Sequence, residues 1–170
     1  MTKLLQDIRR EPEELAASLA YSWGEGRAAM DKAAVRHIRE YFPPRMKKIM
    51  KLVHDGGAWV IAHSDGAVRK VIPDLIEIGM DVLLWRCTGM DREGLKRDFG
   101  DKIVFHGAMD NQRTLPFGSV AEVQQEVLDN LNTLGEGGGW ILAPFHNLQP
   151  TTPLENILAM YETGYEYGWQ

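Results

Sequence analysis

The sequence predicts an α/β fold, a parallel sheet made of four consecutive βα units preceded by N-terminal helices. Three observations carry this. Four apolar runs of strand length stand at 58–62 (AWVIA), 81–85 (DVLLW), 103–105 (IVF) and 140–143 (WILA). Each run is followed by a segment with helical period and helix start or stop signals. The runs recur roughly 20 to 37 residues apart, which leaves room for a crossover helix and so imposes parallel strands with right-handed connections.

Taken in order, residues 1–20 set Leu4, Leu5, Ile8, Leu15 and Leu19 among charges, the pattern of amphipathic helical pieces broken near Pro12. Residues 21–30 have two glycines and no period, and read as a loop. The domain organisation expected is therefore an N-terminal helical segment and loop over 1–30, then one sheet-bearing domain over 31–170. A second helical stretch covers 32–54, where Pro43 and Pro44 predict two helices or one sharp kink.

From Gly56 the βα rhythm begins. The strand 58–62 ends at His63-Ser-Asp-Gly66 and leads to a helix over 68–78 closed by Gly79. The strand 81–85 precedes a short helix, 91–99, closed by Gly100. The strand 103–105 ends at His106 and is followed by the best-marked helix, with a Ser119/Glu122 capping box and an apolar stripe of Val120, Val123, Val127, Leu131 and Leu134 before Gly135. The last strand, 140–143, is a continuous apolar run of the kind buried on both faces. Thr152 and Glu155, with Pro153 between them, predict a second capping box ahead of Leu154. Gly137 to Gly139 precede this strand, so they form a turn and not a phosphate loop.

Composition excludes several function classes. A chain of 170 residues, 44% hydrophobic and 25% charged, suffices for a sizeable core. No apolar stretch has membrane-spanning length, and the N-terminus lacks the apolar region of a signal peptide. A net charge of -5 without a basic run argues against nucleic acid or an anionic membrane as partner. The single cysteine, Cys87, excludes an internal disulfide, points to the cytoplasm and is expected to pack as an inert side chain.

Histidines stand at three of the four strand ends, His63, His106 and His146, the edge where parallel α/β folds do chemistry. This repetition favours a (β/α) barrel, yet a full barrel takes about 250 residues. Four strands alone leave two edges open, and two copies pairing those edges into a homodimer would close them.

The segments HSDG (63–66), IPDLIEIGMDVL (72–83), MDREGLKRDFGDK (90–102), FHGAMDNQRTLPFGS (105–119) and GGGWILAPFHNLQPTTPLENILAMYE (137–162) resemble the uroporphyrinogen decarboxylase superfamily, which includes the cobalamin-dependent methyltransferases. The resemblance covers about 44–162 and implies half of a (β/α)8 TIM barrel, its strands five to eight. It implies a catalytic histidine after the last strand, where His146 stands. The superfamily's zinc methyltransferases use a His-x-Cys pair after strand five and a cysteine after strand eight. His63 matches the histidine, while Asp65 and His146 occupy the two cysteine positions.

His63, Asp65 and His146 are thus a candidate three-ligand set for zinc, imidazole and carboxylate both being suitable donors. Asp65 has the alternative role of capping the following helix. His146, His106 and Asp110 are the catalytic candidates, the last two as an imidazole held near a carboxylate for proton transfer; alternatively His106 bonds a backbone carbonyl and Asp110, with Asn111, shapes the loop. Arg86 and Asn147 are the substrate-binding candidates, Arg86 through its bidentate guanidinium. Tyr161, Tyr165, Tyr167 and Trp169 suit an interface or stacking on a tetrapyrrole. The function implied is corrinoid-linked methyl transfer with a metal at the strand ends. Its cofactors would be zinc and cobalamin, its ligand a small molecule or tetrapyrrole. The alternatives are a cofactor-free porphyrinogen decarboxylase and a non-catalytic half-barrel scaffold or tetrapyrrole-binding module.

Overall fold

The structure, a computed structural model, describes residues 32–86 and 89–168. The expectations for residues 1–30, Cys87 and Trp169 fall outside these residues. The described chain forms two compact units, one of residues 32–60 and 65–80 and the other of 61–64 and 81–168.

The first unit is helical. Helix α1 (Lys32–Asp55) runs unbroken through Pro43 and Pro44, against the two-helix expectation. The prolines remove the donors that would meet the Arg39 and Glu40 carbonyls. Both are exposed residues, where water can replace the lost donors. Arg45 donates to the Tyr41 carbonyl at 3.0 Å one turn back. The helix ends in a Schellman closure, with Gly57 at φ 76° and the Ala58 and Gly57 amides bonded to the Val53 and His54 carbonyls. A 3-10 turn (Val68–Lys70) and the short helix α2 (Ile72–Glu77) follow, in place of one helix over 68–78. Met50, Val68, Val71, Ile72, Ile78 and Met80 form the buried side of this unit. Gly79 has φ +107°, and a Cβ there would stand 3.1 Å from the His54 ring, so glycine is required on both counts. Arg39 clamps Asp74 with 2.9 Å contacts to both carboxylate oxygens, an exposed pair contributing at most about 1 kcal/mol.

The second unit holds the sheet. Strands β1 (Ile61–Ser64), β2 (Val82–Trp85), β3 (Val104–Met109) and β4 (Trp140–Pro144) pair in parallel in the order β1-β2-β3-β4. Two strand boundaries correct the sequence expectation. Strand β1 starts three residues late because the Ala58 amide is spent on closing α1 and Trp59 is exposed, so His63 lies within the strand. Strand β3 continues past its apolar run to Met109, which places His106 in mid-strand. Gly107 and Ala108 take φ values of 100° and 74°, yet still pair with Leu142 and Ala143. The close passage of Leu84, Phe145 and Pro144 around Gly107 leaves no room for a Cβ.

Strand β2 is buried on both faces as its composition predicts, but β4 is not: Ile141 is 43% exposed. Helices α3 (Arg92–Phe99), α4 (Thr114–Phe117), α5 (Val120–Thr133) and α6 (Leu154–Tyr167) complete the unit. Asp91 caps α3, and the Ser119/Glu122 capping box forms in full on α5. The second capping box does not form. Pro153 is the N-cap of α6, and the Thr152 hydroxyl is buried without a hydrogen-bond partner.

The core joins an edge-to-face Trp85–Phe105 pair, 4.9 Å between centroids, to a cluster of Met109, Leu115, Val123, Val127, Ala159 and Met160. Two buried asparagines tie loops to it. Asn130, which accepts from Arg92, donates to the carbonyl of the strained Ala108 at 3.3 Å. Asn156 donates to the carbonyls of Leu115 and Gly118 at 2.9 and 2.8 Å, fixing α4 against α6. Each bond contributes about 1 kcal/mol, and an unpaired buried amide would cost more.

Candidate active site

The site grows from one row of the sheet. His63, Leu84 and His106 are register partners across β1, β2 and β3, and side chains at paired positions of parallel strands share a face. Two imidazoles therefore flank one leucine on the same face.

The third imidazole comes from beyond β4. Strand β4 is three inter-strand steps from β1, about 14 Å, so His146 must be carried back across the sheet. Two hydrogen bonds hold the segment that carries it. The Phe145 amide donates to the Met109 carbonyl at 3.1 Å, and the Asn111 side-chain amide donates to the Asn147 carbonyl at 3.1 Å. His146 sits between these anchors, its ring centroid 5.9 Å from that of His63 at an interplanar angle of 63°.

A cleft of about 440 Å³ lies over this row. His63, His106, His146, Asn147 and Tyr161 are its polar-bearing lining residues, and Leu84, Ala143, Pro144, Phe145 and Leu148 its apolar ones. His63 and His146 are exposed. His106 is half-buried, its Nδ1 has no hydrogen-bond partner among the described residues, and burial lowers its pKa below the ordinary imidazole value. A neutral, under-bonded imidazole beside two accessible ones can accept a proton while the other two hold an electrophile.

Four of the predicted residues are thus brought together: His63, His106, His146 and Asn147. Two are not. Asp110 is not among the cleft's lining residues; its Oδ1 accepts from the amides of Gln112 and Arg113 at 2.8 and 3.0 Å and shapes the turn after β3, the second of its two expected roles. Arg86 does not line the cleft; its amide donates to Ser64 and its Nε is buried without a hydrogen-bond partner. Asp65 is exposed and follows β1 by one residue, two positions beyond His63 in the chain. Sequence reasoning treated Asn111 as a loop residue, yet it is buried and anchors the His146 segment. The signal was weak, since Asp-Asn is an ordinary turn pair.

Behind this turn, Glu126 of α5 accepts the Asp110 amide at 3.1 Å. Burial raises the pKa of its carboxyl above the usual range, outweighing the hydrogen bonds that stabilise the charge.

Parallel βα units with imidazoles gathered above one strand row define a barrel-type α/β protein, a class that does its chemistry at the carboxyl ends of its strands. Residues 28–167 match the family model described as Uroporphyrinogen decarboxylase (URO-D), and the chain belongs to that family. Two similar relatives, both described as Methylcobamide:CoM methyltransferase MtaA, come from Methanosarcina barkeri and from its strain Fusaro. They are 28% and 27% identical over 141 residues, 82% of this chain. The chain spans 39% of the length of each. A solved methyltransferase from Methanosarcina mazei superposes with a TM-score of 0.65 at 24% identity, over 78% of this chain and 37% of that one, and shows the same fold. The four parallel βα units are accordingly those of a partial (β/α)8 barrel.

Proposed function

We propose that this chain belongs to the methyl-transferring branch of its family and acts in corrinoid-linked methyl transfer, with a zinc ion at the strand ends activating the methyl acceptor. The observation that supports this most is the His63–His146 pair, two exposed imidazoles 5.9 Å apart at the mouth of one cleft. The donors fit the ion: imidazole and carboxylate both bind zinc, and three protein ligands leave a position open. His63 and His146 would hold it, with Asp65 as third donor by its spacing from His63. When bound, the metal lowers the pKa of the acceptor group it ligates.

The remaining groups act on the substrate. His106, under-bonded and neutral, takes the proton released by the acceptor. Asn147 and Tyr161 offer polar contacts at the cleft wall, while Leu84 and Phe145 keep its floor apolar. Porphyrinogen decarboxylation draws less support, because a substrate with several carboxylates needs cationic partners and, among the described residues, neither arginine nor lysine lines the cleft.

The test is methylcobalamin demethylation with a panel of thiol acceptors by the zinc-loaded protein, followed at the corrinoid absorption band. Turnover that disappears in His146→Ala and His63→Ala supports the reading. Absence of turnover with every acceptor, together with zinc binding unaltered in both variants, contradicts it.

A further inference from the structure

We infer that Asn111 is the positioning residue that sets where His146 stands, and hence whether the two exposed imidazoles of the cleft can act together. This deepens the reading above and concerns the same site.

Asn111 is 6% exposed, although it lies in a turn. A buried asparagine in a turn needs a reason, since burying an amide side chain is unfavourable unless its groups are paired. Its Oδ1 is buried with no partner among the described residues, so the burial rests on its Nδ2, which donates to the Asn147 carbonyl at 3.1 Å, thirty-six residues away in sequence. That bond spans the end of β3 and the segment after β4. On the other side of His146, the Phe145 amide reaches the Met109 carbonyl. The two bonds hold positions 145 and 147 to positions 109 and 111, so the residue between them has its backbone fixed from both sides.

The turn supplying Asn111 is itself fixed. The Asp110 amide is held by half-buried Glu126, and the Asp110 carboxylate gathers the next amides at 112 and 113. Gln149 also donates to the Asn147 carbonyl at 3.1 Å, but from an exposed side chain, where water competes for the same acceptor. Asn111 is the anchor that solvent does not replace. Without it His146 keeps only one tether, and the 5.9 Å pairing with His63 loses its cause.

The test reads the pairing directly and does not depend on a metal. In the wild-type protein, ring protons of His63 and His146 should show a nuclear Overhauser contact. Asn111→Ala should abolish it while the Trp85–Phe105 contact persists, and Gln149→Ala should retain it. Asn111→Asp, close to isosteric but with no side-chain donor, gives the same answer should the alanine variant fail to fold. A second arm titrates cobalt(II) and follows its d–d absorption. Loss of the anchor should weaken binding by about 10-fold to 100-fold, the usual effect of disturbing the support of a ligand. Retention of the His63–His146 contact in a folded Asn111 variant overturns the proposal, as does its absence from the wild type. Wild-type protein that shows the contact, loses it in the variant and binds no cobalt upholds the positioning role while refuting the metal.

Discussion

Strands β2 and β1 pair side by side and do opposite work. In β2, Leu83 and Trp85 are fully buried, while in β1 Ile61 is 58% exposed and His63 opens onto solvent. The other pair repeats the contrast: Phe105 of β3 is fully buried, and Ile141 of β4 stands half in water. Central strands carry the stability, whereas the two edges supply the accessible imidazoles, one from β1 and one just past β4. Stability and chemistry are therefore separable in this sheet.

The largest effect expected is on stability. Trp85→Ala should cost about 3–5 kcal/mol in urea unfolding, because it empties a packed site against Phe105. Ile141→Ala should cost about 1 kcal/mol or less. Equal costs would break the contrast between centre and edge.

Next comes ligand binding. His146→Ala should weaken zinc about 100-fold or more, close to 3 kcal/mol, with the urea midpoint nearly unchanged. His106→Ala, by contrast, should leave zinc affinity within a few-fold and lower the rate of methyl transfer. Calorimetric titration and the demethylation assay separate the two.

Among the described residues β1 and β4 each have one edge without a partner strand, and such edges favour pairing with another strand. Two copies pairing β1 against β4 are expected in solution, so light scattering should give the mass of two chains, and Ile141→Lys should give one, with a urea midpoint lowered by the lost association. A wild-type species of one chain would refute the pairing.

The smallest effect concerns pH. The Glu126 carboxyl has a raised pKa, so the folded state holds this proton more tightly than the unfolded chain, and stability falls as pH rises from the ordinary glutamate value through the raised one. Glu126→Gln keeps an acceptor for the Asp110 amide and removes the buried charge. It should stabilise the protein at pH 8 and change nothing at pH 4. A loss at pH 8 would show that the charge itself holds the turn. His106 has the opposite sign. Its lowered pKa adds stability at neutral pH that is lost as pH falls through the ordinary imidazole value.

Much of the sheet was legible in the sequence because apolar runs and capping residues act locally. The four strands, their parallel order and the Ser119/Glu122 helix start all follow from patterns a few residues long. What was not legible depends on distant partners. The end of β3 was hidden because Gly107 and Ala108 hold positive φ in a ladder completed by β4. Thr152 looked like a cap, but the chain enters α6 through Pro153. At the site, histidines at strand ends announced themselves by repetition. For Asp110 the sequence left two roles open, because a carboxylate beside an imidazole in sequence says nothing about which amides it faces. Asn111 escaped notice since its partner lies thirty-six residues on.

The central claim is that His63 and His146 form one ligand-holding pair at the cleft. Zinc stoichiometry and affinity, measured on the wild type and on the His63→Ala/His146→Ala double variant under identical conditions, test it most directly. One zinc per chain that vanishes in the double variant is the result predicted. Equal binding by both proteins, or none by the wild type, would contradict it.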